Sequence, residues 1–259
     1  MKTKQYVTLA LGIAVLTCVS IAAYITWAQS PSAQTAFENS AGKPNQPGTV
    51  GKPRITDTVR ANVYADNWFI LYINGELVAV DSIKFMPHNV VSVDILPTYP
   101  MTIAVMAKDN ADAKTGMEYA NSSIGDGGFI FKLGDGTVTN AQWKAQAYSQ
   151  GPIDGNTTTP QVVNTPIPEN WYAINFDDQS WNQAKEYTQA EIGPKEPFFE
   201  TDFEGARFIW TDDLKLDNTI LFRHTVRQAP DGKVRPDFSN LNNTIPNGRP
   251  NGRPKRPRS

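Results

Sequence analysis

The chain has 259 residues, of which 40% are apolar and 19% charged, so a fibrous or wholly disordered protein is excluded. Its single cysteine, Cys18, lies in an apolar leader, so the body has no disulfide framework, thiolate nucleophile or cysteine metal site. The net charge of -2 conceals an acidic body. Removing Lys2, Lys4 and the five basic residues after Pro246 leaves 17 of the 24 basic residues against 26 acidic ones, or -9.

Residues 1–28 form the leader. Lys2 and Lys4 precede an uncharged stretch that is rich in Leu, Ile, Val and Ala. This pattern is typical of a secretory signal peptide or of an uncleaved membrane anchor, and small residues near its end suit cleavage by signal peptidase. A lipid on Cys18 is a third interpretation. All three predict a secreted protein, or one anchored to the membrane on its extracytoplasmic side.

Two segments flank the predicted domain and lack the large apolar residues that a core needs. Residues 29–54 are rich in Pro, Gly, Ser, Ala and Gln, which predicts a flexible linker. Residues 231–259 repeat "NGRP" at 247 and 251 and end in a basic stretch, which predicts a disordered tail. Its charge suits acidic polymers or anionic lipids in general, so no specific nucleic-acid partner is predicted.

Residues 55–230 show strand signals about every ten residues and no convincing helical stripe. Asn74-Gly75 predicts a tight hairpin, because both residue types tolerate positive φ. The sum predicts an all-β jelly-roll sandwich. The clearest predicted strands after the hairpin are "NVVSVDIL" at 89–96, "MTIAVMA" at 101–107 and "GFIFKL" at 128–133.

A segment rich in Thr, Pro and Asn interrupts this pattern at residues 151–170. The remaining chain up to Arg227 has too few strands to close a core of its own. We therefore interpret the segment as a long surface loop inside one domain rather than as a linker between two.

Several short motifs resemble, in the same order, the galactose-binding-domain-like jelly rolls that are appended to rhamnosidases and other glycoside hydrolases. They are Leu71-Tyr72-Ile73-Asn74-Gly75, Gly127-Gly128-Phe129, Trp143-Lys144, the turn from Phe176 to Trp181, Ala206-Arg207 with Trp210, and Phe222-Arg223. The resemblance spans roughly residues 57–227. It implies an eight- to ten-stranded sandwich without catalytic activity of its own, which often recognises sugars through loops at one edge.

Two further expectations concern the packing of the second half. Phe129 and Trp181 are expected to lie in one interior between the two sheets. Arg223 alternates away from the face of Phe222 and is expected to pair with Asp177 or Asp178 beneath the turn.

The best ligand candidates lie in two places. The loop from Lys108 to Asp126 offers carboxylate, amide and phenol groups that bind sugar hydroxyls, and the outward face of the strand at 68–73 offers aromatic rings that stack on sugars. The alternatives are a solvated loop and aromatic residues that a neighbouring segment covers. The predicted ligand-binding residues are Trp68, Tyr72, Asp109, Asn110, Asp112, Glu118, Tyr119 and Asn121.

No catalytic motif or phosphate-binding glycine-rich loop is present, and the two histidines, His88 and His224, lie far apart in sequence. We therefore predict a protein that is not an enzyme and has no cofactor. A structural calcium ion is the alternative, either in the loop from Lys108 to Asp126 or near Asp212, Asp213 and Asp217.

The function predicted from sequence is that of an extracytoplasmic, non-catalytic carbohydrate-binding module at the cell surface or in the medium. The alternative is a structural or protein-interaction subunit of an extracellular assembly, whose partner is another cell-surface protein. In either case the membrane is contacted only through an uncleaved anchor.

Overall fold

Antiparallel strands dominate the computed structural model, which describes residues 53–81, 89–236 and 238. The predictions for the leader, most of the linker, His88 and most of the basic tail therefore lie outside the described residues. Within the described ranges, no helix has the length and apolar character needed to cross a bilayer.

Fourteen strands and a few short helical turns make up the described chain. The helical elements are α1 (Gln189–Ile192) and 3-10 turns at Ile55–Asp57, Ile153–Gly155 and Phe198–Glu200. The strands are β1 (Val59–Asp66), β2 (Trp68–Ile73), β3 (Glu76–Val80), β4 (Val90–Ile95), β5 (Met101–Lys108), β6 (Met117–Glu118), β7 (Ser123–Ile124), β8 (Gly128–Leu133), β9 (Lys144–Gln150), β10 (Val163–Asn164), β11 (Asn182–Gln183), β12 (Lys185–Tyr187), β13 (Phe208–Trp210) and β14 (Asp217–Val226).

The strands form two main sheets and one small hairpin. The first sheet has the order β12-β13-β8-β1-β4 and is referred to as sheet A. The second has the order β10-β9-β14-β5-β2-β3, with β11 also paired to β9, and is referred to as sheet B. Strands β6 and β7 pair only with each other. Each sheet contains strands from both the first and the second half of the domain, so neither half closes alone.

The predicted hairpin and strands are confirmed. Asn74 and Gly75 have φ values of 50° and 83° between β2 and β3, as a turn with two left-handed residues requires. Strands β4, β5 and β8 fall on the three segments that the apolar pattern predicted.

The main core fills the space between sheets A and B. Phe129 of β8 stacks on Phe222 of β14 with ring centroids 5.3 Å apart, and both side chains are fully buried. Trp143 is also fully buried, and its ring contacts Phe129 and Phe131. Because aromatic side chains from both sheets meet across this interior, the predicted all-β sandwich is confirmed.

A second apolar cluster covers the outer face of sheet B. It contains Trp181, so the expectation that Trp181 and Phe129 share one interior is wrong. Successive side chains of a strand point to opposite faces, so Leu221 belongs to this cluster while Phe222 belongs to the main core. Its members are Ala104, Tyr148, Trp171, Trp181 and Leu221, with Tyr72, Met106, Tyr172 and Phe176 packed against them.

One buried arginine fastens the segment 171–181 to sheet B. The Nε atom of Arg223 donates to Asp178 Oδ2 at 2.8 Å, which confirms the expected pairing. Its two remaining nitrogens donate to the carbonyl oxygens of Trp171 and Ala173 at 2.6 and 3.0 Å. Only 2% of the Arg223 side chain is exposed, so all of its charge is compensated inside the protein.

Candidate functional site

The predicted ligand loop lies at the end of the sandwich where β5 stops and β8 starts. Between them, the chain forms the β6-β7 hairpin. Its turn contains Tyr119, Ala120 and Asn121, which all have positive φ, between 47° and 65°. Such a run is uncommon for residues with a side chain, so local hydrogen bonds and packing must hold the turn in place.

Two of the predicted ligand residues are buried beneath this loop. Asp109 and Glu118 are each 2% exposed, and the Glu118 carboxyl lies near enough to that of Asp109 to raise its pKa. The Oδ2 atom of Asp109 lies so close to Gly125 that a Cβ atom at position 125 would come within 1.8 Å of it. The glycine therefore allows the backbone to close over the carboxyl pair.

Burial and neighbouring negative charges shift the acidity of this region. Burial raises the pKa of the Asp66 carboxyl, at the end of β1, from its usual value of 3.8 to about 7, and Asp126 and Glu118 add to the shift. Burial also raises the pKa of Asp109 far above its usual range, helped by the nearby Glu118 carboxyl. The positive charge of Lys195 opposes the shift at Asp66 only in part. At the base of the loop, Asp66 and Asp109 therefore lose their protons less readily than they would in water.

Three other predicted residues of the loop make hydrogen bonds within the protein. The backbone NH of Asn110 donates to Asn67 Oδ1 at 2.7 Å. The Oδ1 atom of Asp112 accepts from the backbone NH groups of Lys114 and Thr115, as in a tight Asx turn. Asn121 accepts a hydrogen bond from the hydroxyl of Thr115. These polar groups therefore order the loop, and of the loop candidates only Tyr119, 61% exposed, presents a large side chain to solvent.

The structure does not join Trp68 and Tyr72 into one open aromatic surface. Trp68 is half-buried, and its Nε1 atom donates to the carbonyl of Asp81 at 2.9 Å. Tyr72 stacks on Tyr172 with ring centroids 4.3 Å apart and contacts the edge of Trp171. The segment 171–181 therefore covers Tyr72, as the alternative interpretation of this face expects.

The acidic residues around the start of β14 also accept hydrogen bonds from other groups of the protein. Asp217 accepts from Gln150 Nε2 at 2.6 Å and from the hydroxyl of Thr211, while Asp213 Oδ1 accepts from the backbone NH groups of Lys215 and Leu216. Within the described ranges, no three or more His, Cys, Asp or Glu side chains gather as a group that could hold a metal ion.

A concave surface lies elsewhere, where β12 and α1 face the segment 198–208. This cleft, which we call the sheet A cleft, has a volume of about 960 Å³. Thr188 lines the cleft and caps α1 reciprocally with Glu191, with Thr188 NH donating to Glu191 Oε2 at 2.7 Å. The side chains that line it and are used below are Phe198, Phe199, Phe203, Glu204, Arg207 and Phe208.

An exposed phenylalanine stands on a rigid aromatic base in this cleft. Phe199 is 59% exposed, and its ring meets the buried ring of Phe198 edge-on at 5.3 Å. Phe198 in turn stacks on Phe203 at 5.1 Å and contacts Tyr64 and Phe208 edge-on or at a tilt. The exposed ring is therefore held in position by neighbours that cannot move without opening the core.

The cleft also carries polar groups that the fold leaves available. The backbone of Arg207 is fixed, because its NH donates to Thr139 O at 2.9 Å and its carbonyl accepts from Thr139 Oγ1 at 2.7 Å. The side chains of Arg207 and Glu204 are exposed and make no hydrogen bond or ion pair within residues 53–81 and 89–236. A donor and an acceptor thus lie near an exposed aromatic ring.

The sequence-based prediction missed this cleft, because its walls come from segments without a strand or helix period. One local signal was present. In "EPFFE" at 196–200, two adjacent phenylalanines lie between charged residues, and a single turn rarely buries both neighbours. The pair therefore implies that one ring faces solvent.

Comparisons of this chain with protein-family models, with curated proteins and with solved structures give no match.

Proposed function

We propose that this protein is an extracytoplasmic, non-catalytic carbohydrate-binding module and that the sheet A cleft holds the sugar. The observation that carries the proposal is the exposed ring of Phe199 on its buried aromatic base. Planar rings stack on the apolar faces of sugars, and a ring that is already ordered loses little entropy on binding.

The polar groups of the cleft favour a neutral sugar. Sugar hydroxyls both donate and accept hydrogen bonds, and the cleft offers Arg207 as a donor and Glu204 as an acceptor. Glu186 also lines the cleft, so an acidic sugar would meet repulsion as well as attraction. The sequence resemblance to galactose-binding-like modules and the apolar leader support a sugar-binding role outside the cytoplasm.

Replacing Phe199 with alanine is expected to weaken binding of neutral oligosaccharides about tenfold or more, because the stacking surface is lost. The unfolding temperature should stay nearly unchanged, since the ring is mostly exposed. Glycan arrays with the full chain would select the ligand, and isothermal titration calorimetry would measure the affinity of each variant.

The matched control is Ile174→Ala, because Ile174 is 62% exposed and does not line the cleft. It should leave sugar affinity unchanged. The proposal fails if no neutral glycan binds the full chain, or if the Phe199 and Ile174 variants bind equally well.

One observation favours the second candidate, a protein-interaction subunit. Strand β3 ends the described path of sheet B, and its side chains Leu77 and Val80 are 58% and 39% exposed. An apolar edge strand is a ready partner for a strand of another chain. If this role is correct, the full chain forms oligomers or captures a partner, and Leu77→Lys abolishes the association in size-exclusion chromatography with light scattering.

A further inference from the structure

Four buried oxygen atoms beneath the β6-β7 hairpin have no hydrogen-bond partner among the described residues. They are Asp109 Oδ2, Glu118 Oε1, Ser123 Oγ and Asn218 Oδ1. Unpaired buried polar atoms are rare in folded proteins, and each one costs free energy unless water, an ion or a proton satisfies it. Their accumulation in one region needs a physical explanation.

Strand pairing and short approaches bring these four residues to one end of the sandwich. The Oδ2 atom of Asp109 lies against Gly125 of the loop, and the Glu118 carboxyl is near enough to raise the pKa of Asp109. Ser123 lies directly opposite Glu118 in the β6-β7 register, so both side chains lie on the same face of the hairpin. The backbone NH of Asp109 donates to the carbonyl of Asn218 at 3.0 Å. The four residues therefore lie where the hairpin meets the start of β14.

Ionised carboxylates only accept hydrogen bonds, so Asp109 and Glu118 cannot satisfy each other without a positive species between them. A shared proton satisfies two oxygens and leaves Ser123 and Asn218 unexplained. A divalent cation that prefers oxygen ligands compensates both carboxylates and accepts neutral amide and hydroxyl oxygens as well.

We propose that Asp109 and Glu118, completed by Asn218 and Ser123, bind one Ca²⁺ ion that fixes the β6-β7 hairpin to the end of the sandwich. Two carboxylates balance the charge of the ion. Calcium tolerates irregular geometry and takes its remaining ligands from water or backbone carbonyls.

The test is isothermal titration of CaCl₂ into the full chain, after treatment with EDTA and dialysis. One ion per chain is expected. Asp109→Asn should weaken binding at least about tenfold, because it removes a ligand charge. Thermal unfolding should show an upward shift with CaCl₂ in the parent chain and little or none in this variant.

Two further variants keep the test decisive. Ser123→Ala removes only a hydroxyl and should fold even if Asp109→Asn does not, so weaker Ca²⁺ binding in it supports the site. Glu169→Gln changes an exposed acid far along the chain and should bind Ca²⁺ as the parent does. The proposal is overturned if the parent chain neither binds Ca²⁺ nor gains stability from it, or if Asp109→Asn and Ser123→Ala bind it as tightly as the parent.

Discussion

Replacing Arg223 with methionine is expected to lower the free energy of unfolding by about 3 to 5 kcal/mol. The substitution leaves Asp178 without its partner and the carbonyl groups of Trp171 and Ala173 without donors. Methionine fills a similar apolar volume, so the loss reflects hydrogen bonds and charge rather than a cavity. Urea denaturation followed by tryptophan fluorescence measures the effect, since Trp171 and Trp181 lie in the affected cluster.

The matched control is Asp178→Asn. It removes the charge of a carboxylate whose side chain is 29% exposed but keeps an oxygen that can accept from Arg223. A smaller loss than that of Arg223→Met is expected for it, because all three hydrogen bonds of Arg223 can still form. If both variants lose the same free energy, the two carbonyl contacts of Arg223 contribute nothing. The conclusion that Arg223 fastens the segment 171–181 to sheet B through these carbonyl groups is then wrong.

Stability in the absence of divalent cations is expected to fall by at least about 2 kcal/mol between pH 5 and pH 7. The pKa of Asp66 is raised from 3.8 in the unfolded chain to about 7 in the folded one. A group with a raised pKa favours the folded state fully below its unfolded pKa, and that contribution is lost as the pH rises toward the folded value. Each pKa unit corresponds to about 1.4 kcal/mol, and the raised pKa of Asp109 acts in the same direction.

Asp66→Asn is the variant that isolates this effect, because asparagine can still accept the hydrogen bond from Asn67 Nδ2. It should reduce the loss between pH 5 and pH 7 by about 2 kcal/mol. Burial lowers the pKa of His224, and this shift makes the fold more stable as the pH rises. Both the parent chain and the variant contain His224, so its contribution cancels when the two pH profiles are compared. Parallel pH profiles for the two chains, measured by urea denaturation in EDTA, would contradict the prediction.

Much of the fold could be predicted from the sequence, because strand signals are local. Alternating apolar residues identified β4 and β8, and Asn74-Gly75 fixed the turn between β2 and β3. Strand alternation placed Arg223 on the face opposite Phe222, where pairing with Asp177 or Asp178 was expected, and the structure shows Asp178 as the partner. The position of Trp181 did not, since a large apolar residue after a loop can reach either face of a sheet, and both faces of sheet B are covered.

The candidate sites were less predictable, because they form between segments that are distant in the chain. The sequence correctly marked the loop after β5 as rich in polar groups, but nothing local indicated that Asp109 and Glu118 face inward while Tyr119 faces solvent. Phe199 and Arg207 both line the sheet A cleft, but they lie in different segments of the chain. Only the tertiary fold brings these segments together.

Arg223 holds the segment 171–181 through hydrogen bonds to two main-chain carbonyl groups and to only one side chain. Every amino acid carries a carbonyl group, so exchanging the side chains at positions 173 and 174 need not break these hydrogen bonds as long as the backbone keeps its path. This part of the protein can therefore accept new side chains on its outer surface, such as the exposed Ile174, without losing its attachment to the sheet. It is a natural place to engineer a new binding surface.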